Sequence, residues 1–262
     1  MRVAIVIPAF NEARTIRDVA AAALRASPMV FVVDDGSTDG TADALSGLPV
    51  DVIRHDANAG KAAALRTGFD AALARGVDYV ATLDGDGQHD AADLPRLVRA
   101  AALHVGSIVI GARLLDREKA PLKRRVANRI ADFWISWAAG YPIADSQSGM
   151  RLYPAPLLRI VDAPCDRRAS FTFESEVLID AARRSVRSVA VPIRSVYAAD
   201  ARPSHFRPVR DIARIVIAVA RALLARGMYP IGLWHSLREA PTVAGACEED
   251  GEGLEVEPSG GS

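Results

Sequence analysis

Two spacings of apolar residues alternate through the first half of the chain. Short runs rich in β-branched residues, Val3–Ile7, Val30–Val33, Val50–Ile53, Tyr79–Leu83 and Ser107–Ile110, predict buried strands. Between them, patterns of helical period predict helices near Ala13–Ala26, Thr41–Leu48, Lys61–Arg75 and Ala92–His104. The strands are continuously apolar rather than alternating, which means cover on both faces, so the pattern predicts an α/β fold with a mostly parallel sheet. Ligands of such sheets bind beyond the C-terminal ends of the strands.

The second half is less regular. Pro121–Ala139 predicts a helix carrying Lys123, Arg124, Arg125 and Arg129 near its start, followed by a polar loop, Asp145–Arg151. A helix is expected near Phe173–Arg184 and an alternating, strand-like segment over Val186–Val196. Arg202–Pro208 separates these from an amphipathic helix, Val209–Arg226. The expected organisation is a main α/β domain over 1–208, a helical extension over 209–236 and a tail over 237–262. Gly, Glu and Ser dominate the tail from about Ala240 and apolar periodicity is lacking, so disorder is expected there.

Charge narrows the partners. Thirty-two Lys and Arg balance thirty-two Asp and Glu, which argues against an overall basic nucleic-acid binder. From Cys247 onward every charge is acidic, leaving 32 basic against 26 acidic residues in the rest of the chain. The only cysteines, Cys165 and Cys247, offer neither a disulfide framework nor metal-ligand spacing, so a reducing compartment is the expectation. Val3–Ile7 is cut short by Pro8, too early for a signal peptide. Ile215–Ala220 is bracketed by Arg214 and Arg221, whereas a spanning helix needs about 20 mostly apolar residues.

Three strand ends deliver carboxylates and small polar residues to one edge of the sheet: Pro8–Glu12, Asp34–Thr41 and Asp84–His89. Neither G-x-G-x-x-G nor G-x-x-x-x-G-K-[ST] is present, which weakens dinucleotide-binding and P-loop readings. In Asp84-Gly-Asp86-Gly-Gln88, two carboxylates one residue apart can turn toward one point. Hard oxygen ligands of this kind suit Mg²⁺ or Mn²⁺, and the alternative is an acidic turn. Asp35 is suited to accept hydrogen bonds from a base or ribose; as an N-cap it is less apt than Ser37 or Asp39. Asn11 is open to the same two readings, ligand contact or N-cap.

Taken together, Val-Ile-Pro-Ala-Phe-Asn-Glu, Val-Val-Asp-Asp-Gly-Ser-Thr-Asp-Gly-Thr, Asn58–Lys61 and Leu-Asp-Gly-Asp-Gly-Gln-His resemble the motifs of family 2 glycosyltransferases. Gly111-Ala-Arg113, Asp145-x-x-Ser-Gly-Met-Arg151 and Phe173-Glu-Ser-Glu176 narrow the resemblance to the dolichyl- or polyprenyl-phosphate sugar synthase-like branch, over about residues 2–208. The resemblance implies the GT-A fold, a UDP- or GDP-sugar donor, one Mg²⁺ or Mn²⁺ and inversion at the anomeric carbon. By the same resemblance Pro8, Glu12, Asp35 and Lys61 are expected around the nucleotide-sugar. Asp84, Asp86 and Gln88 are expected at the metal and diphosphate, with Asp86 and Glu174 catalytic. Ser148 and Arg151 are expected at the acceptor, and Arg202 and His205 in a segment that closes over the donor diphosphate.

Two acceptors remain open. A lipid-linked phosphate is ionised at neutral pH and needs cations rather than a base, and Lys123, Arg124 and Arg125 can supply them. A hydroxyl acceptor needs a general base, the role implied for Glu174. Glu176, two residues on, cannot share its helix face. Nucleotidyl transfer to a sugar phosphate fits poorly, because Pro8–Glu12 is not a Gly-rich phosphate loop. A nucleotide-sugar-binding module without catalysis is the non-enzyme reading, and intact acidic residues at the strand ends argue against it. The basic 209–226 helix either lies on an anionic bilayer or packs against the domain or a partner. The expected location is cytoplasmic, with peripheral attachment to the inner face of the membrane in the first case.

Overall fold

The structure, a computed structural model, describes residues 1–116, 118, 121–161, 163, 172–194, 216–217 and 219–245. Within these, seven strands form one sheet: β1 (Val3–Ala9), β2 (Val30–Asp34), β3 (Asp51–Arg54), β4 (Tyr79–Thr82), β5 (Ile108–Ala112), β6 (Arg151–Pro154) and β7 (Ser188–Pro192). Their order is β3-β2-β1-β4-β6-β5-β7. All neighbouring pairs are parallel except those of β6, which runs antiparallel to both β4 and β5. The C-terminal ends of the other six strands therefore share one edge, and β6 starts from that edge.

The helices are α1 (Ile16–Ala26), α2 (Lys61–Ala74), α3 (Leu94–Leu103), α4 (Leu122–Ala139), α5 (Ala155–Ile160), α6 (Phe173–Arg183) and α7 (Pro230–Arg238). Successive residues of a strand face opposite sides, and β1 shows it. Ala4 and Val6 enter a core with α2, α4, α5 and α6, while Ile5 and Ile7 enter one with α1 and α3. A Cβ on Gly68 of α2 would overlap the Val6 side chain, so the missing side chain is what lets α2 lie this close to β1.

The sequence pattern places six of the seven strands and the helices α1, α2, α3, α4 and α6 to within a few residues. The expected helix over Thr41–Leu48 is only a 3₁₀ turn, Asp43–Leu45, because Asp39 and Thr41 bond each other and the surrounding loops. β6 has no counterpart in the pattern: the expected loop ends at Arg151, and the four residues Arg-Leu-Tyr-Pro begin with a charge and end in proline. α5 also has no counterpart in the pattern, whereas α7 begins within the helical extension expected over 209–236.

Residues 209–215 of the expected amphipathic helix lie outside the described residues. Residues 219–224 are helical, with Val219 and Leu223 buried in the core and Leu224 exposed. The expected tail includes Leu237 and Arg238 of α7. It also includes Thr242–Ala244, which exchange backbone hydrogen bonds with Ala190 on the edge strand β7. Pairing with an open edge orders this stretch despite its composition; the acidic part from Cys247 lies outside the described residues. No helix among the described residues is long and apolar enough to cross a membrane.

Candidate active site

The loops that leave β1 and β2 are stitched together. Asn11 holds a left-handed backbone, its amide N–H bonds the Ser37 hydroxyl, and its side-chain oxygen accepts from the Thr38 N–H. It is not an N-cap, since α1 begins only at Ile16. The Glu12 N–H donates to Thr41 Oγ1. Asp35 is buried and accepts from the Ala59 and Gly60 N–H groups at 2.9 and 2.7 Å, with His55 Nδ1 at 2.8 Å. It thereby orders the loop that leads into α2, whose first residue is Lys61.

Lys61 brings the distant parts together. Its ammonium lies 2.7 Å from Asp84 Oδ1 and 3.3 Å from both Glu174 carboxylate oxygens. Burial works against this charge, but the two carboxylates outweigh it and hold the ammonium protonated beyond its ordinary range. Asp84 is correspondingly held below the usual carboxylate range: Lys61 and other nearby cations prevail over its burial. Asp86 moves the opposite way, pushed up by burial and by the charge of Asp84.

Among the described residues no three His, Cys, Asp or Glu side chains gather to hold a metal ion. Asp84 and Asp86 form a two-carboxylate site whose mutual repulsion a divalent cation would relieve. Hard oxygens of this number fit Mg²⁺ or Mn²⁺, with other ligands from water and substrate phosphates. Gln88 is engaged through both its side chain and its backbone. Its amide oxygen accepts from Arg124 Nη2 at 3.2 Å, and its backbone N–H bonds Asp86 Oδ1 at 3.0 Å. As it stands, Gln88 ties α4 to the carboxylate loop.

Asp145–Arg151 is the support beneath Asp84. Asp145 takes a forked pair of bonds from Arg113 at 2.8 and 2.6 Å; Ser146 bonds Asp132 of α4; Ser148 Oγ donates to the Gly111 carbonyl. Arg151 is 0% exposed and donates to the carbonyls of Ser146, Ser148 and Glu174. Ser148 and Arg151, expected at the acceptor, are both fully buried: Ser148 Oγ is spent on the Gly111 carbonyl of β5, and Arg151 on carbonyls of this loop and of α6.

Gly149 explains why the loop is built this way. A Cβ there would coincide with the Asp84 carboxylate, so only glycine lets the two approach. Gly149→Ala should displace Asp84 and lower metal-dependent donor affinity by about 10- to 100-fold, consistent with the cost of small misplacements in a site. Calorimetric titration of the donor in the presence of Mn²⁺ measures it, with circular dichroism to verify the fold.

His89 was not anticipated. Its Nδ1 is buried without a hydrogen-bond partner, and burial brings its pKa down to about 4. Unfolded, the ring protonates near 6.5. The unfolded chain thus binds more protons between these values, and stability present above pH 6.5 is lost as pH falls toward 4. The expected loss is on the order of 3 kcal/mol. Urea unfolding from pH 7 to 4 without added metal should show that slope, and His89→Gln should remove it.

A cavity of about 250 Å³ is lined by Arg113, Arg124, Arg125, Asn128, Arg129 and Asp132, and the Arg124 bond to Gln88 links it to the carboxylate loop. Arg124 and Arg125 line this cavity, whereas Lys123 is exposed. Arg113, Arg129, Asp132 and Asp145 were not singled out as site residues. The Asp132–Ser146 and Arg113–Asp145 pairings join positions 14 and 32 residues apart, which spacing in one sequence does not reveal. Arg202 and His205 lie outside the described residues.

The sheet order, the single reversed strand and the acidic site at the strand ends define a GT-A fold. Glucosyl-3-phosphoglycerate synthase from Mycobacterium tuberculosis, crystallised with Mn²⁺, UDP-glucose and glycerol 3-phosphate, shares it. The TM-score is 0.60 at 20% identity, covering 86% of this chain and 79% of that one. The chain belongs to glycosyl transferase family 2, whose family model matches residues 4–156. It is similar to an undecaprenyl-phosphate mannosyltransferase of Micrococcus luteus, 31% identical over 206 residues, 75% of this chain and 84% of that protein. A UDP-N-acetylglucosamine–dolichyl-phosphate N-acetylglucosaminyltransferase of Methanococcus voltae is 28% identical over 214 residues, 74% of this chain and 85% of that protein.

Proposed function

We propose that this glycosyltransferase moves a hexose from a UDP- or GDP-sugar to the phosphate of a lipid-linked acceptor, with inversion at the anomeric carbon. The observation that carries the reading is the arginine-lined cavity, tied to the Asp84–Gln88 loop through the Arg124–Gln88 hydrogen bond, together with a Glu174 engaged by Lys61. The names of the relatives support a polyprenyl-phosphate acceptor.

In this reading Pro8, Glu12 and the loop ordered by Asp35 frame the nucleoside end of the donor. Asp84 and Asp86 would hold a divalent cation, with Gln88 beside them. When bound, that cation neutralises the charge that develops on the departing diphosphate. Arg124 and Arg125 hold the acceptor phosphate by charge-assisted hydrogen bonds. A phosphate oxygen forms the new bond to the anomeric carbon as the bond to the nucleoside diphosphate breaks. The nucleophile is already ionised, so no proton has to be removed. Lys61 is placed to offset negative charge between the two substrates, and Glu174 serves as its counter-ion. Arg202 and His205, if they close over the diphosphate, act from the segment outside the described residues.

Glu174→Gln separates the two acceptors. Transfer to a polyprenyl phosphate should fall by less than about tenfold, because only a counter-ion is lost. If Glu174 were instead the base for a hydroxyl acceptor, transfer should drop by about 10²- to 10⁴-fold. Initial rates with a polyprenyl phosphate and with a lipid alcohol distinguish these outcomes.

A further inference from the structure

Two loops clasp each other beyond the end of β2. His55, the first residue after β3, donates its backbone N–H to the Asp34 carbonyl at 2.9 Å. Gly36 holds a left-handed backbone, and a Cβ there would overlap the backbone of Ala57 and Asn58. Asp35 is enclosed between these loops, 2% exposed. A carboxylate accepts hydrogen bonds at about four lone-pair sites, two on each oxygen. Oδ1 takes the Ala59 N–H at 2.9 Å and His55 Nδ1 at 2.8 Å, and so is full. Oδ2 takes the Gly60 N–H, at 2.7 Å, and has room for a second donor.

His55 keeps the carboxylate in this state. An ionised carboxylate only accepts, so Nδ1 carries the ring proton, and in the neutral ring Nε2 accepts from Thr67 Oγ1 of α2 at 3.0 Å. Held at both nitrogens, the ring stays on Oδ1. The place of Asp35 in the sheet gives the open acceptor a use. β1 lies between β2 and β4, and the order of the strands reverses there, where such sheets bind ligands. Asp35 follows β2 and Asp84 follows β4, so the two strand ends that carry them stand about 10 Å apart, two strand spacings. That separation suits a base at one end and a diphosphate at the other.

Nucleobases differ in what they offer such a carboxylate. Guanine presents N1–H and its amino group side by side, two donors that need both oxygens. Uracil presents one donor, N3–H, between two carbonyls. With Oδ1 full, one guanine donor would be buried without an acceptor, at a cost of about tenfold or more in affinity. Uracil leaves no donor unpaired, and the N–H groups on Oδ1 offset the repulsion between that oxygen and the neighbouring carbonyl of the base.

We propose that the donor is a uridine rather than a guanosine diphosphate sugar, selected by the one open acceptor of Asp35, with His55 as the positioning residue that keeps the other oxygen occupied. The inference rests on the nucleotide-sugar reading above and narrows its donor; it makes no use of the acceptor.

Calorimetric titration of the full chain with UDP and with GDP, each with Mn²⁺, reads the selection without sugar or lipid. UDP should bind about tenfold tighter than GDP or more, and by a similar factor tighter than UDP methylated at N3, which lacks the N–H. His55→Leu frees Oδ1 and should bring the two affinities to within about threefold of each other. His55→Asn sets an amide N–H where Nδ1–H stood but does not reach Thr67, and should keep the preference, as should Thr67→Val. A merely structural tie to α2 predicts otherwise: all three variants would lower both affinities and the melting temperature together. GDP binding as tight as UDP, indifference to the N3 methyl group, or a preference that survives His55→Leu would each overturn the proposal. Binding of neither nucleotide would remove the nucleotide-sugar reading and this inference with it. Selective UDP binding without transfer to a lipid phosphate would count against the proposed acceptor alone and leave the uridine selection standing.

Discussion

Asp86→Ala is expected to lower transfer on the order of 10³-fold while leaving the fold at least as stable as before. The first half of this expectation follows from electrostatics: without the second carboxylate, Asp84 alone must recruit the cation that offsets the leaving diphosphate. Removing one element of such stabilisation typically costs about 10² to 10³ in rate. The second half follows from the strain in the site. Asp86 is pushed above the usual carboxylate range by burial and by Asp84, so its ionised form disfavours the folded state, and its removal relieves that repulsion. Asp86→Asn keeps the short side chain and an oxygen to accept from the Gln88 N–H, and should give the same pair of results. The raised pKa also sets a pH limit. Cation binding requires the carboxylate, so metal affinity should weaken at a higher pH than for an ordinary aspartate as the solution is acidified. Calorimetry of Mn²⁺ and donor across pH, with thermal melts of each variant, measures all of this. A variant that both melts early and loses activity would assign Asp86 a structural role instead.

Arg151→Met should be the most damaging substitution for stability, at about 3–5 kcal/mol, the range for deleting one partner of a buried charged network. The residue is fully buried, in register with Thr82 of β4 and Ile110 of β5. Its guanidinium gathers the carbonyls of Ser146, Ser148 and Glu174, which lie on the loop under Asp84 and at the start of α6. Methionine fills similar volume yet leaves these acceptors dry and unpaired, each at a desolvation cost. Lysine should not rescue it, because one ammonium cannot reproduce the planar fork that reaches three carbonyls. Domains are commonly stable by only about 5–15 kcal/mol, so the loss should be visible as a large fall in melting temperature. If Arg151 contacted the acceptor instead, the variant would fold normally and show only a raised KM for acceptor.

The sheet and its helices were largely legible in the sequence because continuous β-branched runs and helical periodicity report burial directly. β6 escaped because four residues starting with a buried arginine carry no apolar run; its place is fixed by antiparallel pairing with β4 and β5, neither of which is its neighbour in sequence. The carboxylate site was legible for a related reason. Asp84 and Asp86 follow an apolar strand, and glycines beside them mark a turn. What spacing could not show is which motif residues face substrate. Ser148 and Arg151 belong to a motif shared with glycosyltransferases, yet in the fold they support Gly149 and through it Asp84. Arg124 was legible as a cation near the site, and its bond to Gln88 supplies the register that the sequence lacked.

The central claim is hexose transfer onto a lipid phosphate, and the most direct measurement is product formation from a panel of UDP- and GDP-sugars with Mn²⁺ or Mg²⁺. Two acceptors of equal chain length are compared, a polyprenyl phosphate and the corresponding polyprenol. The account predicts a metal-dependent glycosyl phosphate product with the first and none with the second. Product from the alcohol alone would contradict it.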